Sequence, residues 1–194
     1  MSIVPINFNF TPHKNIIMKL CERNKFYEGD VYLELFRDFP QKIKNNVIKL
    51  LGEDEYKQIL NKQNKKTFDG LESFGYFITI EEEGKKKVVG FIIYNIELEF
   101  KKSYLLFMLI DKKYQKNGLG TELINKYIKD VEEKMIIYAS VKIENREVSN
   151  FYKKFKFDNH SNLIENIKGK YEMLYYFPKK SLEVLLSLKC LTNK

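Results

Sequence analysis

YLLFMLIDKKYQKNGLGTELINKYI, residues 104–128, changes its period in the middle. The first seven residues form an unbroken apolar and aromatic run of strand length. From Leu119 onward, Leu119, Leu123, Ile124, Tyr127, Ile128 and then Val131 recur on one side of a helix predicted over 118–134. Between the two lie Gln115-Lys116-Asn117-Gly118-Leu119-Gly120-Thr121, so a strand feeds a helix through a glycine-bearing turn. N–H groups at a helix N-terminus have no intrahelical acceptor, and the helix dipole adds partial positive charge there. Glycine lets an anion approach that backbone closely. Residues 115–121 are therefore a candidate pyrophosphate cradle. They are not a Walker A loop, because no Gly-Lys-Ser/Thr follows, and one Gly-x-Gly is only part of a dinucleotide fingerprint. Taken alone, two glycines equally mark an ordinary turn.

Upstream, YFITIEEE from Tyr76, a turn at Glu83-Gly84, VVGFIIYNIELEF, a turn at Lys101-Lys102-Ser103 and then YLLFMLID read as three consecutive antiparallel strands. Downstream, MIIYASVKI is a fourth strand, residues 147–154 a short helix and YEMLYYF a last strand. Ser181 caps a predicted terminal helix carrying Leu182, Leu185, Leu186 and Cys190. The first third reads as helical. Thr11-Pro12 predicts an N-cap with proline at the first helical position, followed by Ile16, Ile17, Leu20 and Cys21 at helical spacing. Ile43, Val47, Ile48 and Leu51 predict a second helix ended by Gly52, Ile59 and Leu60 a short third, and residues 61–69 a loop. The order predicts one α/β domain over 1–194, with a mixed, mostly antiparallel central sheet flanked by helices.

The 194 residues include only Cys21 and Cys190, which excludes a disulfide framework, and only His13 and His160, which excludes a Cys/His zinc module. No run approaches the ~18 apolar residues of a membrane span. The opening MSIVPINFNF lacks the basic and apolar regions of a secretory signal, so a cytoplasmic location is expected. The net charge of +8 invites a nucleic-acid reading, but it is carried by 31 Lys against 3 Arg. Arginine is the residue favoured for bidentate phosphate and base contacts. With 20 Ile, 17 Asn and one Ala, the composition follows the usage of an A+T-rich coding sequence, and part of the charge follows with it.

Asn145-Arg146-Glu147-Val148-Ser149-Asn150-Phe151-Tyr152, running on to Phe155-Lys156-Phe157, decides how the glycine turn is read. With Gln115, Gly118 and Gly120, this segment resembles the GNAT superfamily of acetyl-CoA-dependent N-acetyltransferases. That family carries Gln/Arg-x-x-Gly-x-Gly/Ala at the start of its central helix. It also carries an Asn after the next strand, a Tyr seven residues later, and a closing Gly-Phe. Lys156 stands where the family usually has that Gly. The resemblance runs from about Tyr76 to Phe157. It implies a GNAT-type fold, with an acetyl-CoA-binding core over about 76–157, N-terminal helices over about 11–70 shaping the acceptor side, and a C-terminal strand and helix over about 158–194.

The resemblance also implies site residues. The pyrophosphate of acetyl-CoA would sit on N–H groups of Gln115, Lys116, Asn117, Gly118, Leu119, Gly120 and Thr121. The pantetheine arm would pair with backbone at Leu109 and Ile110, where the YLLFMLID and MIIYASVKI strands splay apart, and Asn145 would hydrogen-bond it. Tyr152 would bind beside the thioester and protonate the leaving thiolate. Eleven residues before Gln115, where lysine acetyltransferases of the family place a Glu, stands Tyr104. This tyrosine arrangement is also similar to the type-E N-terminal acetyltransferases, whose intervening His falls on Ser140 here. Glu97, Glu99 and Tyr138 are the candidates to compensate. A tyrosine near its ordinary pKa of ~10 is a weak base. That is a handicap for a Lys amine of pKa ~10.4, of which about a thousandth is neutral near pH 7.4. It suffices for a peptide α-amine of pKa ~7.7–8.0. The expected acceptor is thus a primary amine, with preference for a protein or peptide N-terminus. Lysine side chains, polyamines and aminoglycosides are rivals, and a non-catalytic acyl-CoA-binding module is the alternative. Tyr138 and Tyr175 are candidate acceptor-binding residues, and Tyr171 and Tyr176 lie on the same strand. Lys112 and Lys113 are candidates for attracting phosphate. Glu81-Glu82-Glu83 reads as a solvated hairpin tip.

Overall fold

The computed structural model describes residues 1–8, 10–26, 72–97, 101–131, 135–159 and 171–178. Their elements are β1 (Ser2–Pro5), α1 (Thr11–Asn24), β2 (Glu72–Glu82), β3 (Lys85–Glu97), β4 (Lys102–Ile110), α2 (Leu119–Asp130), β5 (Ile136–Lys142), α3 (Arg146–Lys153) and β6 (Tyr171–Tyr176). A single 3-10 turn, Lys112–Tyr114, follows β4. The strands form one six-stranded sheet in sequence order. All pairings are antiparallel except β4 with β5. That parallel step is crossed by a helix, α2, as a parallel pair requires.

The meander from β2 to β4 is the one expected from the alternating β-branched and aromatic residues. Glu83 and Gly84 both have positive φ, the geometry that matches a two-residue hairpin to strand twist. One face of the sheet packs under α2 and α3 with Ile78, Ile92, Leu123, Ile124, Tyr127 and Leu174. The other packs under α1 with Ile17, Leu20, Phe77, Phe91 and Leu109.

Four expectations are corrected. Residues 2–5 are not helical: they form β1, paired to β2 from Ser2↔Thr79 to Pro5↔Tyr76. Thr11 is not the N-cap of α1. Phe10 is, with extended backbone and no side-chain bond, and Pro12 stands one position inside. The turn before β4 does not include Lys102 and Ser103, which already belong to the strand; Ser103 is buried. Finally, α2 stops at Asp130 rather than running to 134, because Val131 is extended. The predicted helices at 43–60, the loop at 61–69, the terminal helix from Ser181, His160, Glu99 and the side chain of Glu97 lie outside the described residues.

A bulge in β4 sets the faces. Tyr94 pairs with Leu105 and Ile93 with Phe107, leaving Leu106 without a partner on β3. Before the bulge, Leu105 points to the α2 side; after it, Phe107 and Leu109 point to the α1 side. One extra residue reverses the alternation.

Candidate active site

β4 and β5 pair only from Lys102↔Ile136 to Leu105↔Ala139. β4 then runs on to Ile110 and β5 to Lys142 without pairing to each other. The two strands open into a V at the C-terminal ends of both. Asp111 donates its N–H to Val89 O at 2.8 Å. By the alternation of the pleat, Leu109 turns its own main chain to β3, while Met108 and Ile110 turn theirs into the opening. Of the two residues expected to offer backbone there, Ile110 turns its main chain to the opening and Leu109 turns its own to β3. Gln115 Nε2 donates to Ile110 O at 2.9 Å, so this side chain closes the upper end of the opening.

The glycine turn sits above that opening. Gly118 has φ +78°, a left-handed conformation strained for any residue with a Cβ. It is the N-cap of α2 and its carbonyl accepts from Glu122 N at 3.1 Å. The N–H groups of Leu119, Gly120 and Thr121 therefore precede the first closed helical bond. Gly120 is different. A Cβ there would meet Phe151 Cζ at 3.4 Å, Phe151 Cε2 at 3.6 Å and Ile110 Cγ1 at 3.8 Å, all ordinary contacts. Neither φ nor packing demands glycine at 120, so the missing side chain leaves a slot between the end of β4 and α3.

α3 lines the other side of the slot. Asn145 is its N-cap, with Oδ1 accepting from Val148 N at 3.3 Å. Asn145 is thus explained by the helix start alone, without a ligand. Tyr152, seven residues on and about two turns down the same stripe, is buried between Phe151 and Phe157, each ring centroid 5.5 Å away. Lys156 has φ +65°. The glycine usual in the family's motif answers this left-handed backbone, and lysine adopts it here.

On the α1 face, register brings five residues into one transverse row. Ser73 pairs with Asn95, Asn95 with Tyr104, Tyr104 with Tyr138 and Tyr138 with Tyr175. Ser73 Oγ donates to Asn95 Oδ1 at 2.8 Å. The Tyr104 and Tyr138 rings stack at 4.8 Å, and Tyr138 and Tyr175 lie 6.2 Å apart. Burial pushes the Tyr175 hydroxyl above the usual tyrosine range, so at neutral pH it is a donor and not a base. Ser140 lies two residues beyond Tyr138 on β5 and opposite Met173. Tyr176 packs into the core on the other face, and Tyr171 is exposed at the strand start.

The acetyltransferase (GNAT) family matches residues 34–157, more than half of the chain. The chain belongs to the GNAT family. It is an N-acetyltransferase, and acetyl-CoA is its co-substrate. No curated protein sequence is a significant match. Among solved structures, the PaiA N-acetyltransferase of Thermoplasma acidophilum, in complex with coenzyme A, is 15% identical. It aligns over 91% of this chain and 99% of its own with a TM-score of 0.53. A Streptococcus mutans UA159 protein is 19% identical over 92% and 100%, TM-score 0.54. The Vibrio cholerae spermidine N-acetyltransferase is 16% identical over 94% and 96%, TM-score 0.53. These likenesses establish the GNAT fold.

Three features of this GNAT chain were not foreseen from sequence. Glu82 stands at the exposed hairpin tip, as expected, but is also clasped from a later turn. Its carboxylate takes Lys87 Nζ at 2.8 Å, Lys113 Nζ at 3.2 Å and the Tyr114 hydroxyl at 3.1 Å. The hydrogen bonds from Lys87 and Lys113, with that of Tyr114, hold Glu82 down to a pKa of about 2. The clasp ties the β2–β3 hairpin to the 3-10 turn, and Lys113 is committed to it. Second, Ser103 Oγ donates to Asn95 O at 2.9 Å and lies 2.7 Å from the Tyr127 hydroxyl, which is pushed up mainly by burial. Third, His13 Nδ1 accepts from Asn7 N at 2.9 Å, with its ring edge-on to Phe10 and Phe77. Cys21, by contrast, is buried on the face of α1 as its spacing predicts. Asn95, Ser73 and Ser103 carry no sequence signal of their own; only strand register reveals them. Among the described residues no cluster of three or more His, Cys, Asp or Glu is placed to hold a metal ion, and no helix is long and apolar enough to cross a membrane.

Proposed function

We propose that this GNAT enzyme acetylates the α-amine of a protein or peptide N-terminus by direct attack, with Tyr152 as proton donor. The observation that carries this reading is the row Ser73–Asn95–Tyr104–Tyr138–Tyr175, which contains hydroxyls and an amide but neither carboxylate nor imidazole. A polycationic acceptor is best matched by carboxylates, and a protonated Lys amine needs a competent base. An α-amine, roughly a quarter neutral near pH 7.4, needs only orientation. Stacked tyrosines with polar tips suit a peptide, presenting apolar faces and hydrogen-bonding ends together.

Acetyl-CoA supplies the activated acetyl thioester. In this reading the Leu119, Gly120 and Thr121 N–H groups hold its pyrophosphate in the positive end of α2. Lys116, Asn117 and Gly118 shape the turn, and Gln115 braces it against Ile110. The Met108 and Ile110 main chain receives the pantetheine as a further strand. Asn145 contributes its side-chain amide from the start of α3. Tyr104 and Tyr138 hold the acceptor amine, directly or through a water, and Tyr175 donates to the peptide. Tyr152 donates its hydroxyl proton to the departing sulfur, and the proton that the attacking nitrogen sheds as the amide forms passes through water and restores the tyrosine.

The test uses purified enzyme, acetyl-CoA, two matched Lys-containing peptides with free and blocked N-termini, and spermidine. Acetylation of the free terminus alone, located by mass spectrometry, is expected. Lysine acetylation in both peptides, or turnover of spermidine alone, overturns the α-amine reading.

A further inference from the structure

The C-terminal end of α1 grips the turn that leads into the glycine loop. Asn24, the last residue of α1, is buried. Its Nδ2 donates to Leu20 O at 2.7 Å, and its Oδ1 accepts from the backbone N–H of Lys112 at 2.8 Å. The preceding residue, Arg23, forms an ion pair with Asp111. Asp111 is itself buried, and its Oδ1 accepts from Lys113 N at 3.2 Å. Two consecutive residues of α1 thus hold the N-cap and the first residue of the 3-10 turn that follows β4. Gln115 follows that turn immediately and bonds back to Ile110.

Helix termination does not explain Asn24. The end of α1 is already closed by its backbone, with Lys25 in the left-handed conformation, Phe26 N bonded to Cys21 O at 3.0 Å and Lys25 N to Glu22 O at 3.2 Å. Packing does not explain it either, since a buried amide is costly unless its hydrogen bonds are needed. What the amide adds is a link from the acceptor-side helix to the main chain of the turn.

We propose that Asn24 is a positioning residue for acetyl-CoA. Through the Lys112 N–H it fixes the offset between the end of β4 and the Gly118–Thr121 cradle, and so sets co-substrate affinity. The proposal rests on the reading of that loop as the pyrophosphate site.

The test compares four variants of the full chain by acetyl-CoA calorimetry, steady-state kinetics and thermal melts. Asn24→Leu removes both bonds. Asn24→Asp keeps an acceptor for Lys112 N–H, loses the donor to Leu20 and adds a buried negative charge. Lys112→Pro deletes the N–H without touching α1. It stands at the first position of the 3-10 turn after Asp111 at φ −52°, ψ 131°, a backbone compatible with proline following. Lys112→Ala is its reference for the lost charge. Expected are an acetyl-CoA Kd and KM raised about three- to tenfold in Asn24→Leu and, relative to Lys112→Ala, in Lys112→Pro. Acceptor KM and kcat stay within about twofold. Asn24→Asp melts lower yet keeps near wild-type affinity. Wild-type affinity in both Asn24→Leu and Lys112→Pro overturns the proposal, and so does an Asn24→Asp variant as weak as Asn24→Leu. If Asn24→Leu does not fold, Lys112→Pro decides alone. A wild-type enzyme that binds no acetyl-CoA overturns the cradle reading, and the proposal with it.

Discussion

Gly120 separates what the fold needs from what the ligand needs, and two substitutions read the two apart. In Gly120→Ala the new methyl lies 3.4 Å from Phe151 Cζ and 3.8 Å from Ile110 Cγ1, with nothing closer. No neighbour must move. Alanine is better than glycine within a helix by about 0.5–1 kcal/mol. A gain of that size raises the melting temperature of a chain of this length by roughly 1–4 °C. Acetyl-CoA affinity should change by about threefold or less, because a single methyl narrows the slot without filling it. In Gly120→Arg the stem fills the gap between Ile110 and Phe151 or swings across the α2 N-terminus. Either way the pyrophosphate loses its approach to the Leu119–Thr121 N–H groups. Hydrogen bonds to a charged group contribute about 1.5–3 kcal/mol each. Losing two weakens binding by about a hundredfold or more, at 1.4 kcal/mol per factor of ten. Melts by circular dichroism and acetyl-CoA titration by calorimetry measure both. A folded Gly120→Arg protein with wild-type affinity refutes the cradle. An Ala variant destabilised by more than about 1 kcal/mol shows that glycine serves packing instead.

Three more outcomes follow from the same geometry. Tyr152→Phe should lower kcat by about 10²–10⁴ with the melt within a few degrees of wild type, since the ring packing is kept; an unchanged kcat in stopped-flow CoA release removes Tyr152 from proton donation. Lys156→Gly relieves a left-handed non-glycine residue, a strain of about 1–2 kcal/mol, against glycine's entropic cost of about 0.5–1 kcal/mol; urea unfolding should show a net gain of up to about 1 kcal/mol, and a loss contradicts the assignment. Because its neighbours hold Glu82 down to about pKa 2, its clasp contributes fully above the ordinary carboxylate range and is lost as pH falls toward 2. The urea midpoint of Glu82→Gln should therefore converge on wild type below about pH 2 and lie under it at pH 6.

The parts of this fold legible in the sequence are those whose signal is local. The β2–β4 meander shows in alternating side chains, α2 in its apolar stripe, and the cradle in a contiguous strand–Gly–helix segment. β1 is four residues whose partner lies more than seventy positions away, at Thr79, so no window contains the information. At Thr11-Pro12 proline fits either of the first two helical positions, and its fixed φ does not choose between them. The transverse row was half visible. Tyr104, Tyr138 and Tyr175 could be named from the family's spacing, but their alignment with Ser73 and Asn95 depends on cross-strand register. The bulge at Leu106 lies inside the all-apolar run YLLFMLI, where no polar residue betrays which side chains change face. The links of Glu82 to Lys113 and of Asn24 to Lys112 were not legible because both partners come from a turn far along the chain.

The most direct test of the account is amide hydrogen exchange followed by mass spectrometry, with and without saturating acetyl-CoA. The account predicts protection concentrated in peptides covering 106–121, the free edge of β4 and the first turn of α2, with a lesser effect over 145–152. Protection elsewhere, with 106–121 exchanging as before while calorimetry reports binding, would contradict the claim that acetyl-CoA lies in the opening between β4 and β5.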